Sequence, residues 1–138
     1  MKRRRAREYA LQILYQQDIQ DEPVTEETLR QFWQEHPEPK DLRDFTEDLL
    51  RGTNEHIQEI DALITEAAEH WRLERMSTID RNILRFATYE LLYRDDIPAA
   101  VTINEAVEIT KKYSDRESPS FVNGVLNRIR KKINKRVH

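Results

Sequence analysis

Residues 77–95 read STIDRNILRFATYELLYRD, and the fold turns on this stretch. Ile79, Ile83, Leu84, Phe86, Ala87, Leu91 and Leu92 recur at helical spacing and cover nearly its whole circumference. A helix that is apolar almost all round must be wrapped by others. The stretch therefore predicts a central helix. Ser77-x-x-Asp80 approximates a capping box at its start, with Asp in place of the usual Glu or Gln.

Upstream lies the connector WRLERM (71–76). Before it, one long pattern runs through Leu42, Phe45, Leu49 and Leu50, then Ile57, Ile60, Leu63 and Ile64. Its length predicts two helices, broken between Gly52 and Asp61. HPEPK (36–40) cannot continue a helix, because it holds two prolines. Ahead of it, EETLRQFWQEH (26–36) reads as a short helix capped by Thr25, with Leu29, Phe32 and Trp33 buried. The first helix carries Ala6, Tyr9, Ala10, Ile13 and Leu14 on one stripe and breaks at Pro23.

Downstream, RDDIPAAV (94–101) reads as a loop, and Thr102-x-x-Glu105 as a capping box opening INEAVEITKKY (103–113). In SDRESPS (114–120), Ser118 reads as a cap with Pro119 at the first helical position. The last helix buries Phe121, Val122, Val125, Leu126, Ile129 and Ile133. No stretch reads as a strand. The expectation is an all-α fold of six or seven helices, antiparallel where the loops are short.

Composition narrows the function. The 138 residues include no cysteine, which excludes disulfides, thiolate chemistry and cysteine-ligated zinc and fits a reducing cytoplasm. No apolar run is long enough to cross a membrane. The start does not read as a secretory signal, since Glu8, Gln12, Gln16, Gln17 and Asp18 interrupt the apolar residues. Gly52 and Gly124 stand alone, so there is no Gly-rich phosphate loop. His36, His56, His70 and His138 form no ligand spacing and read as surface or helix-end residues. No nucleophile motif is present. The chain does not read as an enzyme. Trp33 and Trp71 read as packing residues.

The formal net charge of −3 hides a sharp asymmetry. Lys2, Arg3, Arg4, Arg5 and Arg7 crowd the start, and Arg128, Arg130, Lys131, Lys132, Lys135 and Arg136 crowd the end. Neither end holds an acid. Such ends suit polyanions. On the first helix, Arg4, Arg7, Leu11 and Tyr15 form a strip beside the apolar stripe. Arginine forks onto phosphates, and an aromatic ring stacks on an unpaired base. The basic C-terminal tail has two readings: an extra hold on a polyanion, or a frayed helix end whose cations offset the dipole.

Four blocks in order carry a resemblance: RRRAREYALQILYQ (3–16), IDRNILRFATYELLYRDDIP (79–98), INEAVEI (103–109) and SPSFVNGVLNRI (118–129). Together they resemble the NusB family of bacterial transcription antitermination factors. The resemblance implies an all-helical fold of about seven helices in two packed three-helix bundles, here about 1–72 and 73–138. It implies binding of single-stranded boxA RNA in nascent ribosomal transcripts. The partners it implies are the small-subunit ribosomal protein NusE and the RNA polymerase antitermination complex. It implies no catalysis and no cofactor.

Carried onto this chain, the resemblance assigns Lys2, Arg3, Arg4, Arg5 and Arg7 to phosphates and Tyr15 to a base. Asp80, Arg85, Phe121 and Asn123 become further candidates for the RNA surface. Members often have Glu where this chain has Asp80, so the reach there is shorter. Members of the family also differ in being monomers or homodimers. Two other readings stand beside this one. NusB-like domains occur fused to RNA methyltransferases, so a helical module assisting a separate rRNA-modifying enzyme is the alternative. A DNA-binding helix-turn-helix lacks its glycine turn and basic recognition helix here.

Overall fold

The computed structural model describes residues 2–69 and 71–134. Among them are seven α-helices, one 3-10 turn (Leu73–Arg75) and no strand. The helices are α1 (Arg3–Gln20), α2 (Glu26–Glu35), α3 (Lys40–Glu55), α4 (Ile57–Ala67), α5 (Thr78–Tyr93), α6 (Ala99–Tyr113) and α7 (Ser118–Lys132).

Each boundary has a local cause. α1 starts inside the basic run and ends at Asp21, which takes a left-handed conformation (φ 54°) and returns its N–H to the Gln17 carbonyl. Asp tolerates that region better than most side chains. Thr25 caps α2 as expected, and Thr28 completes the box by accepting the Thr25 N–H. The break between α3 and α4 is the single residue His56. It lies inside the expected window.

The central helix is α5. It packs against α1, α3, α4, α6 and α7. Ile83, Leu84, Phe86, Ala87 and Leu91 are buried. Each large side chain among them contributes roughly 1.5–3 kcal/mol by leaving water. The polar residues of α5 are equally committed. Glu90 reaches α1 and α6, Asn82 reaches Asp18 of α1, Arg85 reaches Asp61 of α4, and Tyr89 reaches Asp48 of α3. Hydrophobic contact alone would allow α5 to slide or rotate. These directional bonds set its register.

Gly52 brings α3 and α5 together. A methyl group there would run into the Tyr89 ring. The Tyr89 hydroxyl donates to Asp48 at 2.9 Å, and its pKa is pushed up to about 12 by burial and then by that bond.

Two expected caps are not caps. Helix α6 begins at Ala99, one residue after Pro98, so Thr102 and Glu105 lie inside it. Pro98 pre-sets the entry and lets the helix start early. At α7, Glu117 occupies the capping position, Pro119 sits one place further in, and the Ser118 hydroxyl bonds to Asp80 instead. At α5 the Ser77 hydroxyl does accept the Asp80 N–H at 3.0 Å. The Asp80 carboxylate turns away to Ser114 and Ser118.

Candidate nucleic-acid interface

Four arginines occupy the first five positions of α1, and its first turn holds no acid. The positive end of a helix dipole is a poor place for cations. Carboxylates from other helices compensate. Arg4 forks onto Glu105 of α6 (3.0 and 2.6 Å), which holds its guanidinium more firmly protonated than usual. Arg5 lies 3.5 Å from both oxygens of Glu38. Arg3 sits 3.8 Å from Asp96 and 4.6 Å from the Phe45 ring centre. Arg94 covers the same ring at 4.9 Å. Lys2, Arg4 and Arg5 are exposed, and Arg3 is partly covered.

Arg7 is not on the surface strip expected of it. It is 2% exposed and donates from Nε and Nη2 to the two oxygens of Glu90, at 2.7 and 2.8 Å. Leu11 is buried as well. The buried arc of α1 is wider than its apolar stripe, because α3 and α5 both pack on it. Charge alone pointed Arg7 outward, but a carboxylate waiting on α5 turned it inward.

The outward face of α1 instead carries Arg4, Arg5, Glu8, Gln12 and Tyr15. A groove of about 490 Å³ opens along it, lined by Arg5, Glu8, Tyr9, Leu11, Gln12, Tyr15, Ile79 and Tyr113. Tyr15 and Tyr113 are 38% and 43% exposed, so both rings are open to solvent. Lys112 bonds Glu8 at 3.1 Å and lies 5.2 Å from the centre of the Tyr113 ring. Leu11 and Ile79 give the groove an apolar lining, Tyr9, Tyr15 and Tyr113 add aromatic rings, and Arg5 adds a cation.

Ile79 faces this groove, while its neighbour Asp80 faces a second recess of about 360 Å³. There Asp80 is 8% exposed and accepts from the Ser114 and Ser118 hydroxyls at 2.6 and 2.7 Å. Both of its oxygens are taken, so it pins α5 to the α6–α7 turn rather than presenting a free carboxylate. Phe121 lines the same recess, half-buried and edge-on to Trp71. Trp71 is 55% exposed, contrary to its reading as a packing residue. It precedes the Leu73–Arg75 turn, where the chain crosses the surface. Asn123, two residues on from Phe121 and so on a different face of α7, is exposed, lines neither recess, and accepts from Asn127.

Arg85 departs from the expectation as well. It forks onto Asp61 (2.9 and 3.0 Å) and reaches Asp18 at 3.1 Å, which Arg81 also holds. It lines neither recess beside the α5 N-terminus. Its partners tie α5 to α4 and the end of α1, so its charge is spent on the fold.

The sequence reading did not single out Tyr113, Lys112, Glu105 or Glu38 as members of this surface. A basic pair followed by an aromatic, KKY at 111–113, was the available signal for the first two. The carboxylates carried none, because their partners lie far away in sequence. In the C-terminal tail, Arg130, Lys131 and Lys132 fall in the last turn of α7, where cations suit the dipole. Lys135, Arg136, His70 and His138 lie outside the described residues. No group of histidine and carboxylate side chains among the described residues could hold a metal ion, and no described helix is long and apolar enough to cross a membrane.

Comparison with known proteins agrees with this architecture. The NusB family model matches residues 4–131. The transcription antitermination protein NusB of Thermodesulfovibrio yellowstonii is 51% identical over 140 residues, covering 95% of this chain and 93% of that protein. The structure of T. maritima NusB superposes with a TM-score of 0.87 at 41% identity, covering 96% of this chain and 92% of that one. A crystal structure of the antitermination factors NusB and NusE in complex with dsRNA matches with a TM-score of 0.83 at 31% identity, covering 96% and 99%. With the four sequence blocks falling on α1, α5, α6 and α7 of one continuous helical fold, the chain belongs to the NusB family.

Proposed function

We propose that this protein is an RNA-binding transcription antitermination factor. It takes a single-stranded boxA element in nascent ribosomal transcripts and acts together with the ribosomal protein NusE. The pair promotes read-through by RNA polymerase, in the cytoplasm and without catalysis or a cofactor. The observation that carries this reading is the groove between Tyr15 and Tyr113, with Arg5 on its wall and Arg4 and Lys112 on the neighbouring surface.

The chemistry divides between cations and rings. Arg4, Arg5 and Lys2 supply a salt-dependent, sequence-tolerant attraction for phosphates. The N-terminus of α1 adds its unpaired N–H groups and the positive end of its dipole. Tyr15 and Tyr113 offer faces on which unpaired bases stack, a mode open to single strands and closed to a duplex. Phe121, which lines the second recess, extends the surface, and the exposed Asn123 offers an amide for a base edge further round α7. NusE completes it, so the two ligands bind cooperatively.

A fluorescence titration with a boxA strand, with and without NusE and at two salt concentrations, tests this. Tighter binding in the presence of NusE and weaker binding at high salt are expected. A duplex competing better than the single strand, or no enhancement by NusE, would overturn it.

A further inference from the structure

The arginines that face the proposed RNA surface are already occupied. Arg4 is 47% exposed, yet it forks onto Glu105, whose side chain is 17% exposed. Arg5 is 51% exposed and faces Glu38, whose side chain is 9% exposed. In each pair the carboxylate is the covered, fixed partner and the arginine the free-standing one. A strand that uses these arginines must take them from the protein itself.

Each carboxylate also has a second partner that does not depend on the arginine. Glu105 Oε1 lies 3.6 Å from Nη1 of the buried Arg7. Glu38 accepts the Tyr9 hydroxyl at 2.5 Å. Removing one partner of a buried pair is costly because it orphans a charge. Here neither carboxylate would be orphaned. If Arg4 swings to a phosphate, Glu105 still faces Arg7. If Arg5 leaves, Glu38 still holds Tyr9.

We propose that Glu105 and Glu38 are internal stand-ins for RNA phosphate, holding Arg4 and Arg5 in the free protein and releasing them to a polyanion. They are positioning residues. They keep one long side chain ordered in the groove and another beside it, and lower the affinity for every strand by the same factor. Weak, non-cognate polyanions are thereby shed, while a strand that adds base contacts is retained. This inference rests on the RNA reading of α1 given above.

The test uses Glu105→Gln, which keeps the shape and removes the charge, with Arg4→Ala and the double variant. Binding is read by fluorescence anisotropy on a boxA strand and on a scrambled strand, after a thermal melt establishes that each variant is folded. Glu105→Gln should tighten binding about two- to fivefold, the scale of an exposed ion pair. The gain should be equal on the two strands, because a phosphate stand-in is blind to sequence. It should vanish in the Arg4→Ala background. Glu38→Gln should behave in the same way through Arg5. A gain on one strand only, a loss, or no change in Glu105→Gln overturns the stand-in role when Arg4→Ala weakens binding. If Arg4→Ala binds RNA as tightly as the parent, the RNA reading of this helix falls as well.

Discussion

Arg7 of α1 and Glu90 of α5 form a two-pronged ion pair inside the protein, at 2.7 and 2.8 Å, with neither side chain more than 2% exposed. The Thr102 hydroxyl donates to the same carboxylate at 2.9 Å. Three helices meet at one buried charge pair. A pair so enclosed orients more than it stabilises, but losing half of it is severe.

Arg7→Ala or Glu90→Gln should therefore cost about 3–5 kcal/mol of folding stability. Replacing both with apolar residues, Arg7→Met with Glu90→Leu, should cost less than either single change. Urea denaturation followed by circular dichroism measures all three. An Arg7→Ala variant as stable as the parent would return Arg7 to the list of RNA contacts.

Arg4→Ala should behave in the opposite way. Its partner Glu105 keeps Arg7, so stability should fall by no more than about 1 kcal/mol, as for an exposed pair. RNA affinity should drop, and the slope of log affinity against log salt should become shallower by about 0.7 for one lost phosphate contact. A salt series of binding titrations reads this slope.

Tyr15→Ala and Tyr113→Ala should each weaken single-stranded RNA binding by about 1–3 kcal/mol, the value of one base on one ring. The loss should be larger on boxA than on a scrambled strand. Equal losses on both strands would make the rings sequence-blind.

Gly52→Ala should destabilise by about 1–3 kcal/mol, because the added methyl group meets the Tyr89 ring across the α3–α5 contact. Pairing it with Tyr89→Leu should recover part of the loss. Chemical denaturation of the single and double variants is the measurement.

Asp96 carries a pH dependence. Arg94 hydrogen-bonds its carboxylate and holds its pKa at about 2, below the ordinary 3.8. A carboxylate with a depressed folded pKa stabilises above its unfolded value and loses that stabilisation as pH falls through the folded one. The stability difference between the parent and Asp96→Asn should thus be constant from neutral pH down to about 4 and close as pH approaches 2. Denaturation midpoints of the two proteins across that range supply the comparison. A gap unchanged at pH 2 would mean that the ion pair contributes nothing.

Much of the fold was legible along the chain. Thr25 and Ser77 announced their helices, because a cap is a bond between residues three apart. Thr102 and Ser118 were misread for a related reason. Thr102-x-x-Glu105 has the form of a capping box, but tertiary partners claimed both side chains: Glu90 took Thr102, and Arg4 took Glu105. Ser118 was likewise drawn to Asp80. Local rules hold where no distant group competes.

The sequence by itself determined that this protein is all-helical, that residues 77–95 sit at its centre, and that basic residues crowd its first helix. Periodicity, caps and charge are short-range properties, so they are written along the chain itself. Only the tertiary structure decided which arginines face solvent. Arg4 and Arg7 lie one helical turn apart with the same chemistry, yet Arg4 faces solvent and Arg7 is buried. The difference is made by Glu90 and Glu105, more than eighty positions away along the chain and brought to α1 by the packing of α5 and α6. A charge points toward its nearest counter-charge, and only the fold says where that is.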